Sequence, residues 1–211
     1  KLNDLNLLVK MSFSASNIKK NVVTGNALIK KDKNRITTTF DFKDNQITIL
    51  NADLRNIFLN GKVEGNIKFD PYFDFILNMD LNTLNFNTLH NSIVKLNEKA
   101  QKNLFRINNK INGRVNLSAK KVFSRHTLID SFESQIQFIN GDILIDRLLL
   151  SMGKLGATDF TGIIKNNKKF TNFKFETNIF IDNLKRFFNK FGVINKKKAP
   201  HNLFVSGNFD L

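Results

Sequence analysis

The sequence has no cysteine, no tryptophan and only two prolines. The first absence removes disulfides, thiolate nucleophiles and Cys-ligated metals, and leaves the redox compartment open. Long hydrophobic runs are missing as well. A membrane helix needs roughly 18 uninterrupted apolar residues, and with a mean hydropathy of -0.25 no stretch approaches that. Neither GxxxxGK[ST] nor GxGxxG occurs, and no serine sits in a GxSxG elbow, so the local signatures of phosphate cradles and esterase nucleophiles are absent. "GKLGATDFTG", residues 153 to 162, is Gly-rich but lies between strand-like runs, where it reads as a turn or bulge. There is no initiating Met and no basic, apolar leader. The chain opens mid-pattern at "KLNDLNLLVK" and stops mid-strand at "VSGNFDL", so residues 1–211 are expected to be a segment of a longer protein.

Acidic residues are scarce: 33 basic residues against 18 acidic ones give a formal net charge of +15 and a pI near 10.0. The make-up of that charge argues against a nucleic-acid partner. Of the basic residues 26 are Lys and only 7 Arg, whereas bidentate recognition of bases and phosphates favours Arg. The aromatics are 22 Phe and one Tyr. A chain rich in Lys, Asn, Ile and Phe but poor in Arg, Trp, Pro and Ala points to an AT-rich genome, and to codon bias as one source of the charge.

What the chain does have is alternation. "SQIQFINGDILIDRLLL", residues 134 to 150, holds two alternating runs about Asn140-Gly141. An Asn-Gly pair favours a type I′ hairpin, because both loop residues need φ > 0. That turn sets Phe138 opposite Ile143 and Ile136 opposite Ile145, with Phe132 and Leu149 on the same face. Glu133, Gln135, Gln137, Asp142 and Asp146 fall on the other face, with Ile139, Leu144 and Leu148 as apolar exceptions. "TFDFKDNQITIL", residues 39 to 50, repeats the device. A loop at Asp44-Asn45 pairs Phe42 with Ile47 and Phe40 with Ile49, and a shift of 96 positions turns these into Phe138, Ile143, Ile136 and Ile145. Phe73, Phe75, Leu77, Met79 and Leu81 reappear 100 positions later as Phe173, Phe175, Thr177, Ile179 and Ile181. A Gly-led opening recurs as "VTGNALI", "VEGNIKF", "INGRVNL" and "VSGNFDL".

Agreement near one period predicts two β repeats, 23–107 and 111–200, with the start of a further repeat at 203–211. Each reads as antiparallel strands followed by a helical connector. In the first connector, 87–107, Leu89, Ile93, Leu96, Ala100 and Leu104 have helical spacing. The second, 182–200, has Asp182 or Asn183 as N-cap and Pro200 to end it. No α/β unit is read from the pattern. The expected fold is mainly β, a long antiparallel sheet with two short helical connectors.

Chemistry-bearing constellations are thin. His90, His126 and His201 are far apart, with no carboxylate at ligand spacing, so no metal site is expected. Asp74, Asp80, Asp142 and Asp146 sit on the polar side of alternating strands, where solvated carboxylates are ordinary, and not in a pocket that could tune an acid or base. No catalytic residue, cofactor or enzymatic activity is expected. A basic stretch runs through Lys95, Lys99, Lys102, Arg106, Lys110, Arg114, Lys120, Lys121 and Arg125 with only Glu98 against it; Lys196-Lys197-Lys198 is a smaller cluster. Its plain reading is a solvated connector face. A sharper one is attraction to anionic lipid headgroups.

One apolar face repeated along a sheet has to be covered. A second sheet would make a closed β-sandwich, a structural or protein-interaction module; curling around a ligand would make an open groove instead. The run "INGRVNLSAKKVFSRHTLIDSFESQIQFINGDILIDRLLLSMGKLGATDFTGIIKNNKKFTNFKFETNIFIDNLKRFF" bears on the choice. It resembles the C-terminal region of the AsmA-like proteins of Gram-negative bacteria, the group that includes TamB and YhdP. The likeness lies in a Gly-led strand followed by "SA", a strand meeting an "NGD" turn, then "DRLLLSMGKLG", and an apolar strand running into "IDNL". Residues 23 to 86 look like a second, more diverged copy. The resemblance implies a long twisted sheet curled into an open groove, apolar inside, which accommodates or conducts phospholipid or another acyl-chain lipid between inner and outer membranes and supports outer-membrane biogenesis. It also implies a periplasmic location, a parent protein anchored in the inner membrane, and neighbouring repeats of the same chain as partners, with a membrane surface as a further one. On this reading the groove is lined by Phe40, Phe42, Ile47, Ile49, Phe73, Phe75, Leu77, Phe132, Ile136, Phe138, Ile143, Ile145, Phe173, Phe175 and Ile179, while Lys95, Lys99, Lys102, Arg106, Lys120 and Lys121 face headgroups.

Overall fold

The computed structural model describes residues 8–17, 21–124, 127–166 and 171–211. Alternating segments form strands, and the chain reverses where the turn residues tolerate it. At Asp44-Asn45 (φ 48° and 59°) and at Asn140-Gly141 (φ 52° and 90°) both loop residues take positive φ, as a type I′ connection requires. The first half comprises β1 (Leu8–Asn17), β2 (Val22–Lys31), β3 (Asn34–Lys43), β4 (Gln46–Arg55), β5 (Leu59–Lys68) and β6 (Phe73–Asn85), then α1 (Phe86–Val94) and α2 (Glu98–Lys102). The second comprises β7 (Ile111–Ala119), β8 (Val122–Phe123), β9 (Ser131–Ile139), β10 (Asp142–Ser151), a 3-10 turn at Gly153–Leu155, β11 (Gly156–Asn166), β12 (Thr171–Ile181), α3 (Leu184–Asn189) and β13 (His201–Asp210).

Among the described residues these strands make one 13-stranded sheet. Its order is β1-β2-β3-β4-β5-β6-β7-β9-β10-β11-β12-β13, with β8 beside β6. The sheet is mostly antiparallel and does not close, since β1 and β13 are its two edges. Extensive contacts run only between neighbouring strands, so the two halves lie side by side, and the closed sandwich that the pattern also allowed does not form. The total accessible surface, 14656 Å², makes the same point. A compact monomer of 24.3 kDa would expose about 10,000 Å². The molecule is a single layer, consistent with a curled, open groove.

Three features depart from the alternation. In β4 the pairs Phe40↔Ile49 and Thr39↔Asn51 leave Leu50 as an extra residue; in β10 the pairs Ile136↔Ile145 and Gln135↔Arg147 leave Asp146. The bulge thus recurs with the same 96-residue displacement as the hairpins. It corrects the register beyond it: Leu148 and Leu150 share the face of Ile143 and Ile145, while Leu149 pairs with Glu133 on the opposite face. Counting by twos cannot see an added residue.

The second departure is that β6 and β7 run parallel, Phe73 facing Ile111 and Leu81 facing Ala119. Parallel neighbours need a crossover, and residues 86–110 supply it, so the sheet does contain one strand–helix–strand unit. Third, the helices are shorter than the spacing predicts. Asn85, Asn97 and Asn183 accept backbone N–H bonds from Thr88 (3.0 Å), Ala100 (2.8 Å) and Arg186 (3.0 Å). Each is therefore an N-cap, and Asn97 starts a new helix where the first was expected to continue. The helix of the second connector ends at Asn189, well before Pro200, and Gly192 follows with φ 71°. The tightest core, Leu81, Leu84, Ala119 and Val122, sits where α1 lays Leu89 against the ends of β6 and β7, beside Phe132.

Candidate ligand-binding face

Cross-strand pairing carries a residue's face from strand to strand, so the register can be followed across the whole sheet. One row of directly paired residues runs Phe13, Gly25, Phe40, Ile49, Gly65, Leu77, Val115, Ile136, Ile145, Gly162, Phe175, Gly207. The adjacent row on the same face runs Val23, Phe42, Ile47, Ile67, Phe75, Gly113, Phe138, Ile143, Ile164, Phe173, Phe209. Neither row contains a polar side chain. Strands are 4.7–4.9 Å apart, so the first row extends about 50 Å across the sheet.

Every residue expected to line the groove falls on this face. Phe40, Ile49, Leu77, Ile136, Ile145 and Phe175 lie in the first row. Phe42, Ile47, Phe75, Phe138, Ile143 and Phe173 lie in the second. Phe73 lies one step beyond the second row, while Phe132 and Ile179 lie toward the Leu81 end of the strands. Val63, Met79, Leu117, Leu148 and Phe160 widen the face. Most of these side chains are half-buried by their neighbours alone, and Phe42 and Phe73 stay 40% and 37% exposed.

The recurrent glycines, which alternation alone left unexplained, have a steric role. A Cβ on Gly25 would lie 2.5 Å from the Phe40 ring, one on Gly113 2.7 Å from Phe75, and one on Gly207 2.6 Å from Phe175. Each glycine opens a slot that the ring of the neighbouring strand occupies. The rings then meet one another: Phe75 and Phe138 at 5.5 Å between centroids, Phe160 and Phe175 at 5.5 Å, and Phe175 and Phe209 at 5.8 Å. The two rows thus form a continuous apolar strip, stacked at Phe160, Phe175 and Phe209 and tilted at Phe75 and Phe138.

The other face is a polar ladder. Asn116 donates to Asn78 (2.8 Å), Ser118 to Asp80 (2.7 Å), Gln137 to Asp146 (2.6 Å) and Thr24 to Asp41 (2.6 Å). Short Asn, Ser and Thr side chains between longer charged ones leave shallow depressions there. One of about 410 Å³ lies among Glu64, Asp80, Glu133 and Arg147, and others open beside Asp53 and beside Lys174 and Glu176. Among the described residues no group of three or more His, Asp or Glu is placed to hold a metal ion. His90 and His201 are exposed, and His126 lies outside the described residues.

Of the basic residues expected to face headgroups, Lys95, Lys99, Arg106, Lys120 and Lys121 are exposed, and the Lys102 side chain lies outside the described residues. Lys99 and Arg106 share a shallow depression with Glu98 and Asn103. Lys120 and Lys121 lie on the turn between β7 and β8, Lys121 over the Phe123 ring at 5.0 Å. The structure thus divides them between the crossover and a strand end. Comparison with family models, curated proteins and solved structures finds no significant match to this chain.

Proposed function

We propose that the apolar face holds the acyl chains of phospholipid or of a similar acyl-chain lipid. On this reading the chain is a non-enzymatic groove segment of an AsmA-like protein, accommodating or conducting phospholipid between inner and outer membranes in support of outer-membrane biogenesis. The observation that carries the proposal is the unbroken row from Phe13 to Gly207, apolar on every strand it crosses. Its dimensions agree. With the next two rows toward Leu81, which are apolar except at Thr38, Ser134, Thr158 and Thr177, four rows two residues apart at ~3.3 Å per residue make a face about 20 Å wide, and an acyl chain occupies one leaflet of a ~30 Å hydrocarbon core, about 15 Å. A chain lying along the strands would fit that width, and the row offers it a path across them. The periplasmic setting, the inner-membrane anchor of the parent protein and continuation by neighbouring repeats at the sheet edges rest on the sequence resemblance.

The test is lipid analysis of the purified protein. The wild type should carry phospholipid detectable by mass spectrometry of an organic extract. Phe75→Asp should carry at least about tenfold less, since burial of a Phe is worth roughly 1.5–3 kcal/mol and a desolvated carboxylate adds to the loss. Circular dichroism checks that the variant keeps its strands. A wild-type protein with no bound or exchangeable phospholipid would end the proposal.

A further inference from the structure

Ile194, in the connector from β12 to β13, is the most exposed large apolar side chain among the described residues, at 90%. Val193 and Phe191 beside it are 50% and 49% exposed. The segment that presents them is tied to itself. The backbone N–H groups of Leu184 and Lys185 donate to the carbonyls of Ala199 (3.4 Å) and Lys197 (2.9 Å), which closes its base. Past Gly192 the chain turns back on α3, where the Val193 N–H donates to the Phe188 carbonyl (3.0 Å). Phe187 packs against Phe188 and Phe191, with ring centroids 5.7 and 5.3 Å apart. The result is a knob whose rings rest on one another and whose aliphatic tip, Val193-Ile194, stands in solvent.

The same segment carries Lys185, Arg186, Lys190, Lys196, Lys197 and Lys198, all exposed, and no acidic residue from Asn183 to Pro200. None of the six forms an ion pair among the described residues. Asp182 stands at the base of the knob, and Lys190 donates to Thr127 (3.0 Å) in the loop that also holds Asp130. We propose that this knob docks the protein on an anionic membrane surface, the Val193-Ile194 tip entering the interface and the basic side chains meeting the headgroup phosphates. An apolar tip flanked by cations is the composition that binds such an interface, and each basic residue near it strengthens binding about fivefold. A nucleic acid is a poorer fit, because an aliphatic tip offers no ring on which a base could stack. The docking does not depend on the apolar face holding lipid. The knob leaves the sheet at Ile181, at the Leu81 end of the strands, so docking sets that end nearest the bilayer.

The experiment floats the protein with vesicles of phosphatidylcholine alone or mixed with phosphatidylglycerol. The wild type should bind the mixed vesicles at low salt, bind the neutral ones at least about tenfold more weakly, and lose the difference in about 0.5 M salt, where the Debye length falls to a few ångströms. Val193→Asp/Ile194→Asp should weaken binding about tenfold or more, from lost apolar burial. Lys196→Glu/Lys197→Glu/Lys198→Glu should weaken it about a hundredfold. Lys43→Glu/Lys68→Glu/Lys165→Glu, an equal charge change at the far end of the strands, should weaken it far less. Phe75→Asp, which alters the apolar face, should float as the wild type does. Because the chain has no cysteine, Ile194→Cys takes a polarity-sensitive fluorophore at one site, and its emission should move to the blue with anionic vesicles. Equal binding to both vesicles, equal loss in the two lysine variants, or full binding by the tip variant would overturn the knob. Loss of flotation in Phe75→Asp alone would move the contact to the apolar face, overturning the knob and leaving the lipid reading of that face standing. A blue shift with double-stranded DNA and none with vesicles would make the knob a nucleic-acid surface and end the inference.

Discussion

Phe138 and Gln137 are adjacent in the chain yet belong to opposite surfaces. Phe138 sits between Gly113 and Ile143, its ring against Phe75; Gln137 donates to Asp146 on the polar ladder. Phe138→Asp should therefore lower stability by about 2–4 kcal/mol, from lost burial and a desolvated charge. Gln137→Asp loses a hydrogen bond and brings two carboxylates together, which should cost about 1 kcal/mol. Denaturant melts of the two variants check the order, and a larger loss in Gln137→Asp would show the faces to be reversed. The glycines make a second residue-scale case. Gly207→Val places branched carbons in the slot occupied by the Phe175 ring, and should lower Tm and displace that ring from Phe209. Aromatic NMR shifts of Phe209 would report it. Alternation made the Phe residues legible from the sequence, but the glycine opposite each ring sits on a different strand, and only the pairing reveals the slot.

At the scale of the strand, the bulge at Asp146 explains why alternation read β9 correctly and misread the end of β10. Deleting either Asp146 or Leu144 removes the extra residue and restores regular pairing downstream, but with opposite consequences. Without Asp146, Ile145 keeps its place beside Ile136. Without Leu144, Ile145 turns to the polar ladder and Asp146 takes its place on the apolar face. The first deletion should cost about 1 kcal/mol, chiefly the bond to Gln137, and the second several kcal/mol more. Chemical denaturation of both proteins is the check, and equal stabilities would show that β10 tolerates either face. The helices were legible in existence but not in length. Asn97 satisfies backbone N–H groups as an N-cap, and that local bond outcompetes continuation through Leu96 and Ala100. The parallel join of β6 and β7 left no mark on periodicity, because alternation is the same in either strand direction.

For the molecule as a whole, what the sequence reveals and what it hides divide along the same line. Which residues share a face follows from parity along each strand, and parity is written in the chain. Which turns share an end depends on strand direction, and the crossover reverses that between the halves, so the two ends of the sheet could not be told apart without the fold. The same crossover gives the sheet one joint unlike the rest under tension. Let the protein be pulled by its two ends. In a hairpin such as β9–β10 the loaded ends lie together, and the hydrogen bonds break in succession, as in a zipper. In β6–β7 the pull enters at Phe73 and leaves at Ala119, at opposite ends of the pair, so its bonds are loaded together, in shear. Single-molecule stretching should show low-force peeling of the outer strands and then one distinctly stronger event. Disrupting this joint with a proline at Val115, inside the ladder, should remove the strong event while leaving the peeling unchanged. A groove built this way would yield at its edges under strain and hold at its middle.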